Sequence, residues 1–251
     1  MARVELKTPD EIAVMRRSGK LLAAVFGMLH GMVAPGVKGI DLDTAAETFI
    51  RDHGAVPSFL GYRGFPATLC ISFNEQVVHG IPGDRRLTEG DLVGIDCGLV
   101  LDGFHSDKAE SFYVGGAPPP DVERLMTTTK KALDKGLAKW APGNRVYDVS
   151  RAIQTEVESE GFSVVRALVG HGIGRVMHEN LQIPNYVPAG NSPEIKVGMT
   201  AAIEPMVNAG TWEVRYLRDK WTVVTEDGKM SCHFEHTVAA TKDGPMVLTL
   251  P

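Results

Sequence analysis

The alternation of apolar and polar positions divides the chain into two helical stretches, 9 to 32 and 120 to 139, and short strand-like runs punctuated by glycine, proline and aspartate. Thr8 and Glu11 have the spacing of a capping box and Pro9 occupies the first helical position, so the first stretch has a defined start. Between the runs LVGIDCGLVL and FHSDKAESF lies Asp102-Gly103, which predicts a two-residue hairpin turn with positive φ at both centres. Counting outward from that turn, Leu101 pairs with Phe104, Gly98 with Asp107 and Asp96 with Ala109. Asp96 and Asp107 therefore share one face as diagonal neighbours, within reach of a common ion.

The pattern also repeats. VAPGVKGIDLDTAAETFIRDHG at 33 to 54 aligns without gaps on WAPGNRVYDVSRAIQTEVESEG at 140 to 161, matching Ala34 with Ala141, Gly36 with Gly143 and Asp41 with Asp148, each pair 107 positions apart. Further on, GDLVGID at 90 to 96 resembles GMTAAIE at 198 to 204, which puts Asp96 and Glu204 in equivalent places. The repeat predicts an α+β fold: one domain over 1–251, with duplicated helix-plus-antiparallel-sheet halves, about 1–117 and 118–251, related by a pseudo-two-fold axis. Each half is expected to cover one sheet face with its helices, the two sheets joining around the acids. The prolines at 118 to 120 mark the crossover. Asp41 and Asp148, ahead of apolar periodic runs, are expected to be helix N-caps.

The chemistry lies in acids inside apolar segments: Asp96 in LVGIDCGLVL, Asp107 in FHSDKAESF, Glu204 in AAIEPMV and Glu235 in HFEHTV, with His171 in VGHGIG. A buried carboxylate costs several kcal/mol unless it is paired or metal-bound. One such aspartate alone is most often satisfied by local backbone amides. Five such residues together call for metal, and oxygen-rich ligation with one imidazole leaves Mn, Fe, Co and Zn open.

Composition narrows the class. The net charge of −5 in 251 residues leaves no basic face for nucleic acid or an anionic membrane. Cys70, Cys97 and Cys232 form no CxxC pair, which fits a reducing compartment and excludes a disulfide framework. The start, MARVELKTPDEI, lacks an apolar signal core, and the most apolar stretch, LLAAVFGML at 21 to 29, is too short to span a bilayer. A cytoplasmic protein without export signal or membrane anchor is expected.

In order and nearly in spacing, GDLVGIDCGLVLDGFHSD, GHGIGRVMHE, IEPMVN and FEHT resemble the ligand motifs of the type I methionine aminopeptidases, whose fold is the pita-bread (creatinase/aminopeptidase) fold. The resemblance covers essentially the whole chain. It implies a dinuclear metal site with Asp107 and Glu235 bridging two divalent ions (Co, Mn, Fe or Zn), Asp96 on one ion, and His171 with Glu204 on the other. It also implies substrate contacts from His178, near the scissile amide, and His79, near the following residue. Taken alone, either histidine reads more often as a satisfied loop or core residue. The other five, His30, His53, His105, His233 and His236, match no motif and read as ordinary histidines.

For the pocket that selects methionine the resemblance points to Tyr62, Phe65, Cys70 and Trp221, an apolar and aromatic lining suited to a thioether, with Cys70 a wall rather than a nucleophile. Met177 stands where the family commonly has an aromatic, Phe59 where it often has a smaller residue, and Lys108 where it often has threonine. Lys108 lies either beside the metal site or on the outer strand face. Asn74 and Ser231 match positions that surround a monovalent cation, with Gln76 in place of the usual apolar residue. The absence of a Cys/His-rich N-terminal extension, of a separate N-terminal domain and of a long insertion between Glu204 and Glu235 favours the short type I form.

The expected function is removal of the initiator methionine from new polypeptides and peptides whose second residue is small, by attack of a metal-activated water with Glu204 as proton acceptor. The expected partners are N-terminal methionine peptides, with transient ribosome contact and a monomeric state. Two other readings stay open: a binding protein on the same fold, and a peptidase of proline-directed specificity.

Overall fold

The computed structural model describes residues 4–251. Four helices, α1 (Pro9–His30), α2 (Gly39–Asp52), α3 (Pro120–Lys139) and α4 (Val146–Ser159), occur as two consecutive pairs. Between the pairs run β1 (Val56–Pro57), β2 (Leu69–Phe73), β3 (Gln76–Val78), β4 (Leu92–Leu101) and β5 (Phe104–Tyr113). After α4 come β6 (Ser163–Val164), β7 (Gly170–Gly172), β8 (Glu179–Ile183), β9 (Thr200–Ile203), β10 (Met206–Asn208), β11 (Val214–Tyr216) and β12 (Val223–Thr225). The last three strands are β13 (Ser231–His233), β14 (Glu235–Thr241) and β15 (Gly244–Val247).

Thr8 caps α1 as its spacing predicts, its hydroxyl accepting from the Glu11 amide while the Glu11 carboxylate accepts from the Thr8 amide. The helix ends at His30, two residues short of the expected boundary. The β4–β5 hairpin turns on Asp102 and Gly103 at φ 52° and 79°, and its register runs unbroken from Leu101↔Phe104 to Leu92↔Tyr113, including Gly98↔Asp107 and Asp96↔Ala109.

The sequence repeat reappears as local structure. Gly36 and Gly143 both turn the chain at φ 91°, and α2 and α4 are each 14 residues long. The expectation that Asp41 and Asp148 cap these helices is corrected. The caps are Lys38 and Arg145, each in extended backbone and held by an isolated bridge, to Arg86 and Glu194 respectively. The aspartates stand at the third helical position and accept back from the cap amides, at 3.4 Å for Asp41 and 2.8 Å for Asp148. They still neutralise an orphan donor, from one turn inside rather than from the end.

A single nine-stranded sheet runs through both halves in the order β1-β4-β5-β14-β9-β7-β8, with β2 also on β4 and β15 also on β14. The halves meet at β5–β14, so the expected pair of joined sheets is one continuous sheet. Two three-stranded sheets, β13-β10-β6 and β11-β12-β3, flank it. One apolar core under α1 and α2 contains Leu22, Phe26, Ile50, Val93, Ile95, Cys97 and Leu99; another under α3 and α4 contains Leu133, Trp140, Ile153, Ile203, Val238 and Ala240. Because strand side chains alternate, the odd positions of β4 serve the helices and Asp96 faces the other way. Among the described residues no helix is long and apolar enough to cross a membrane.

Candidate active site

The helix-free face of the sheet gathers the acids. Asp96 lies in mid-β4, Asp107 in β5, His171 in β7, Glu204 just beyond β9, and Glu235 opens β14. Ala109 pairs with Asp96 on one side and with Glu235 on the other, so the small alanine separates two carboxylates across three strands. Gly98, opposite Asp107, leaves space: a Cβ there would stand 2.9 Å from Phe59 Cε1, 3.1 Å from Ser58 Cβ and 3.3 Å from Asp107 Oδ1, so these neighbours would have to shift. The hairpin thus leaves room for the carboxylate it carries.

Donor atoms of Asp107, His171 and Glu235 lie within 4.8 Å of one another. His171 Nδ1 is 3.0 Å from the Gly172 carbonyl, to which it donates, which leaves the Nε2 lone pair facing Asp107 Oδ2 at 3.9 Å and Glu204 Oε1 at 3.7 Å. All four carboxyls titrate above their ordinary range. Burial pushes Asp96 up to about 7. Burial followed by repulsion from Glu235 and Asp96 raises Asp107, burial followed by repulsion from Asp107 and Asp96 raises Glu204, and burial followed by repulsion from Glu204 raises Glu235.

Asp96 Oδ1 and Glu235 Oε1 are buried and accept no hydrogen bond. Four carboxylates and one neutral imidazole, with buried oxygens left free, are a donor set that fits divalent cations. About four negative charges balance two such ions.

Facing the acids is an apolar wall of Phe59, Phe65, Ala67, Cys70 and Met177, with Tyr62 and Trp221 packed on it. Phe65 and Trp221 meet edge to face at 5.1 Å. The wall apart from Ala67, the acids, His79 and His178 line one cavity of about 170 Å³. All the residues predicted for metal, substrate and pocket therefore converge on it, and Phe59 and Met177, the two departures, lie in the wall. Burial raises the Cys70 thiol well above its usual range, and the nearby Asp96 adds to this, so it carries no thiolate.

His178 lies between Tyr62, at 5.3 Å, and His171, at 4.1 Å between ring centroids. His79 occupies left-handed backbone at φ 60°, a conformation that a histidine holds only under constraint. Burial, and then repulsion from a protonated His178, lowers His79 to about 4, so its ring is neutral at pH 7, and burial followed by the Arg63 charge lowers His178 below its usual range.

Lys108 points away from this face. Its ammonium pairs with Glu110 and sits 4.6 Å over the Phe26 ring of α1, which places it on the outer strand face. Asn74 and Ser231 do come together, the Ser231 amide donating to the Asn74 carbonyl at 2.8 Å. Gln76 turns its amide oxygen onto the Phe73 N–H at 3.0 Å.

Two residues with no assigned role in the sequence belong to the neighbourhood. His233 is buried, its Nε2 has no hydrogen-bond partner, and it lies 3.9 Å from Glu235 Oε2. Its position two residues before Glu235 was the available signal. Arg63 lines the cavity between two glycines, Gly61 and Gly64, that themselves have positive φ.

Comparison with known proteins agrees with this geometry. The sequence profile of metallopeptidase family M24 matches residues 13–242. A methionine aminopeptidase of Clostridium perfringens is 51% identical over 245 residues, covering 98% of both chains. Methionine aminopeptidase 1 of Bacillus subtilis is 49% identical over 97% of this chain and 98% of its own. The crystal structure of a methionine aminopeptidase from Rickettsia prowazekii superposes with a TM-score of 0.96 at 39% identity, covering 99% of this chain and 100% of that one. The α+β fold is thus the pita-bread fold expected from the motifs.

Proposed function

We propose that this chain, which belongs to metallopeptidase family M24, is a type I methionine aminopeptidase that releases the N-terminal methionine of peptides and nascent proteins whose second residue is small. As a member of that family it is a hydrolase that uses divalent metal. The observation that carries the reading is the joining of the donor cluster to the Phe65–Cys70–Trp221 wall in one cavity, which puts a methionine-sized apolar slot beside a peptide-cleaving centre.

In this reading Asp96, Asp107, His171, Glu204 and Glu235 would hold two divalent ions, Asp107 and Glu235 serving both, Asp96 one, and His171 with Glu204 the other. Bound there, the ions supply an acidified water and polarise the scissile carbonyl. Glu204 would accept the proton of the attacking water and return it to the leaving amine. His178, stacked between Tyr62 and His171, donates to the scissile amide, and His79 contacts the next residue. The Phe65, Cys70 and Trp221 side chains hold the thioether and exclude water. The substrate's free α-amine meets the Asp96 end of the cluster, a partner that an internal peptide bond does not have. A monovalent cation beside Asn74 and Ser231, a cytoplasmic location, and action as a monomer in transient contact with ribosomes complete the reading.

The test is release of methionine from Met-Ala-Ser by chelator-stripped protein titrated separately with Mn, Fe, Co and Zn while bound metal is counted. Activity that returns with one or two ions per chain is expected. Metal binding without release, or preference for an Xaa-Pro peptide, would overturn the reading.

A further inference from the structure

Among the described residues Arg63 is the only lysine or arginine that lines the cavity, whose other ionisable groups are three histidines, Cys70, Tyr62 and the four carboxyls. Its guanidinium lies 5.3 Å over the Tyr62 ring and forms no ion pair with any carboxylate among the described residues. Tyr62 stacks on His178, and His178 meets the His171 ring at a tilt, so Arg63 is the outermost member of a row leading from the cavity mouth to the donor cluster.

The backbone makes this placement deliberate. Arg63 sits at φ 50°, ψ 23°, in the left-handed region that disfavours a long side chain. The loop is tied off around it: the Gly61 amide donates to the Phe65 carbonyl at 2.8 Å, Gly64 to Gly61 at 3.1 Å and Phe65 to Tyr62 at 2.9 Å. Flanking glycines with φ 82° and 89° show that this turn suits glycine, yet an arginine occupies its centre. Strain kept at a cavity mouth points to use. A guanidinium free of internal partners, held at a fixed place by stacking, recognises carboxylates through its planar fork. Arg63 is exposed where Tyr62 is half-buried and Phe65 buried, so it stands on the solvent side of the cavity, where the rest of a bound peptide would leave it.

We infer that Arg63 is a specificity residue that binds a carboxylate of the substrate downstream of the cleaved bond, so that acidic residues after the second position are favoured over neutral and basic ones. The inference rests on the aminopeptidase reading. The carboxylate can be an Asp or Glu side chain or the free C-terminus of a short peptide.

The experiment compares kcat/KM of the manganese-loaded protein for Met-Ala-Glu-Gly-amide, Met-Ala-Gln-Gly-amide and Met-Ala-Lys-Gly-amide, and for Met-Ala-Gln-Gly as free acid. A partly exposed pair gives a preference of about 2- to 5-fold for Glu over Gln, expressed in KM and largely lost at about 0.5 M salt. Arg63→Gly, which suits the left-handed turn, should bring the ratio to one; Arg63→Lys, which keeps charge without the fork, should retain part of it. Preference for the free acid without a Glu effect would support the terminal carboxylate as the ligand. Equal rates for all four peptides, or a Glu preference that persists in Arg63→Gly, would overturn the inference while leaving the peptidase reading standing. Failure to release methionine from any of them would overturn that reading, and this one with it.

Discussion

Asp107 and Lys108 are neighbours in β5, and both are 4% exposed, yet they open onto opposite faces of the sheet with opposite histories of compensation. On the helix side Lys108 has Glu110 and the Phe26 ring, Glu110 also has His30 at 3.3 Å, and His236, the cross-strand partner of Lys108, bonds the Thr249 hydroxyl at 2.8 Å. On the site side Asp107 has three further carboxyls around it, and buried oxygens of Asp96 and Glu235 accept nothing. Burial alone therefore does not mark function. What separates the faces is whether the buried charges already satisfy one another, and only the site face still requires cations.

The largest effect that would break this contrast is removal of a member of the unsatisfied set. Asp107→Ala should weaken divalent metal binding and methionine release by more than about 100-fold, since even loss of an outer partner of a ligand costs up to that much. Metal counting on dialysed protein and peptide assays would check it. His233→Leu removes the unpartnered ring beside Glu235 and should weaken metal affinity by about 10-fold, with His233→Gln retaining most of it because an amide can still donate. Competition with a chelator reads this out without reference to turnover.

Lys108→Met on the other face should do the reverse. It strips Glu110 of its closest cation at a cost of about 1–2 kcal/mol, lowering Tm by roughly 3–6 °C, while metal affinity and methionine release stay within about twofold. A Lys108→Met protein that lost metal would mean that the two faces are not separable.

Much of this was legible in the sequence. The two-residue Asp102-Gly103 turn fixes a register that runs the length of β4 and β5, which puts Asp96 and Asp107 on one face. The direction of Lys108 stayed open in the sequence, and the structure turns it to the outer face, onto Glu110 and the Phe26 ring. The repeat correctly matched α2 with α4 and Asp96 with Glu204: Gly90 and Gly198 turn at φ 95° and 91°, β4 and β9 each begin two residues later, and the acids stand at the same step, although β9 ends before Glu204 while β4 runs on. Asp41 and Asp148 were misplaced because a cap and a third helical position differ by three residues in a pattern that attracts aspartate to both. Arg63 and His233 were invisible for another reason. An arginine between glycines reads as solvent-facing loop, and His233, although only two residues before Glu235, belongs to no ligand motif.

The most direct test of the central claim is thermal unfolding of chelator-stripped protein at pH 5 and pH 8, with and without manganese. Asp96 holds its proton up to about pH 7 when folded but gives it up near 3.8 when unfolded, and the other three carboxyls shift in the same direction. The folded state then binds more protons than the unfolded one, so the metal-free protein loses stability as pH rises through that window. Manganese should raise Tm by roughly 5–10 °C at pH 8 when present at about 100 times its Kd, and by much less at pH 5, where protons compete. A midpoint that is the same with and without metal at pH 8 would contradict the claim that this face is completed by cations.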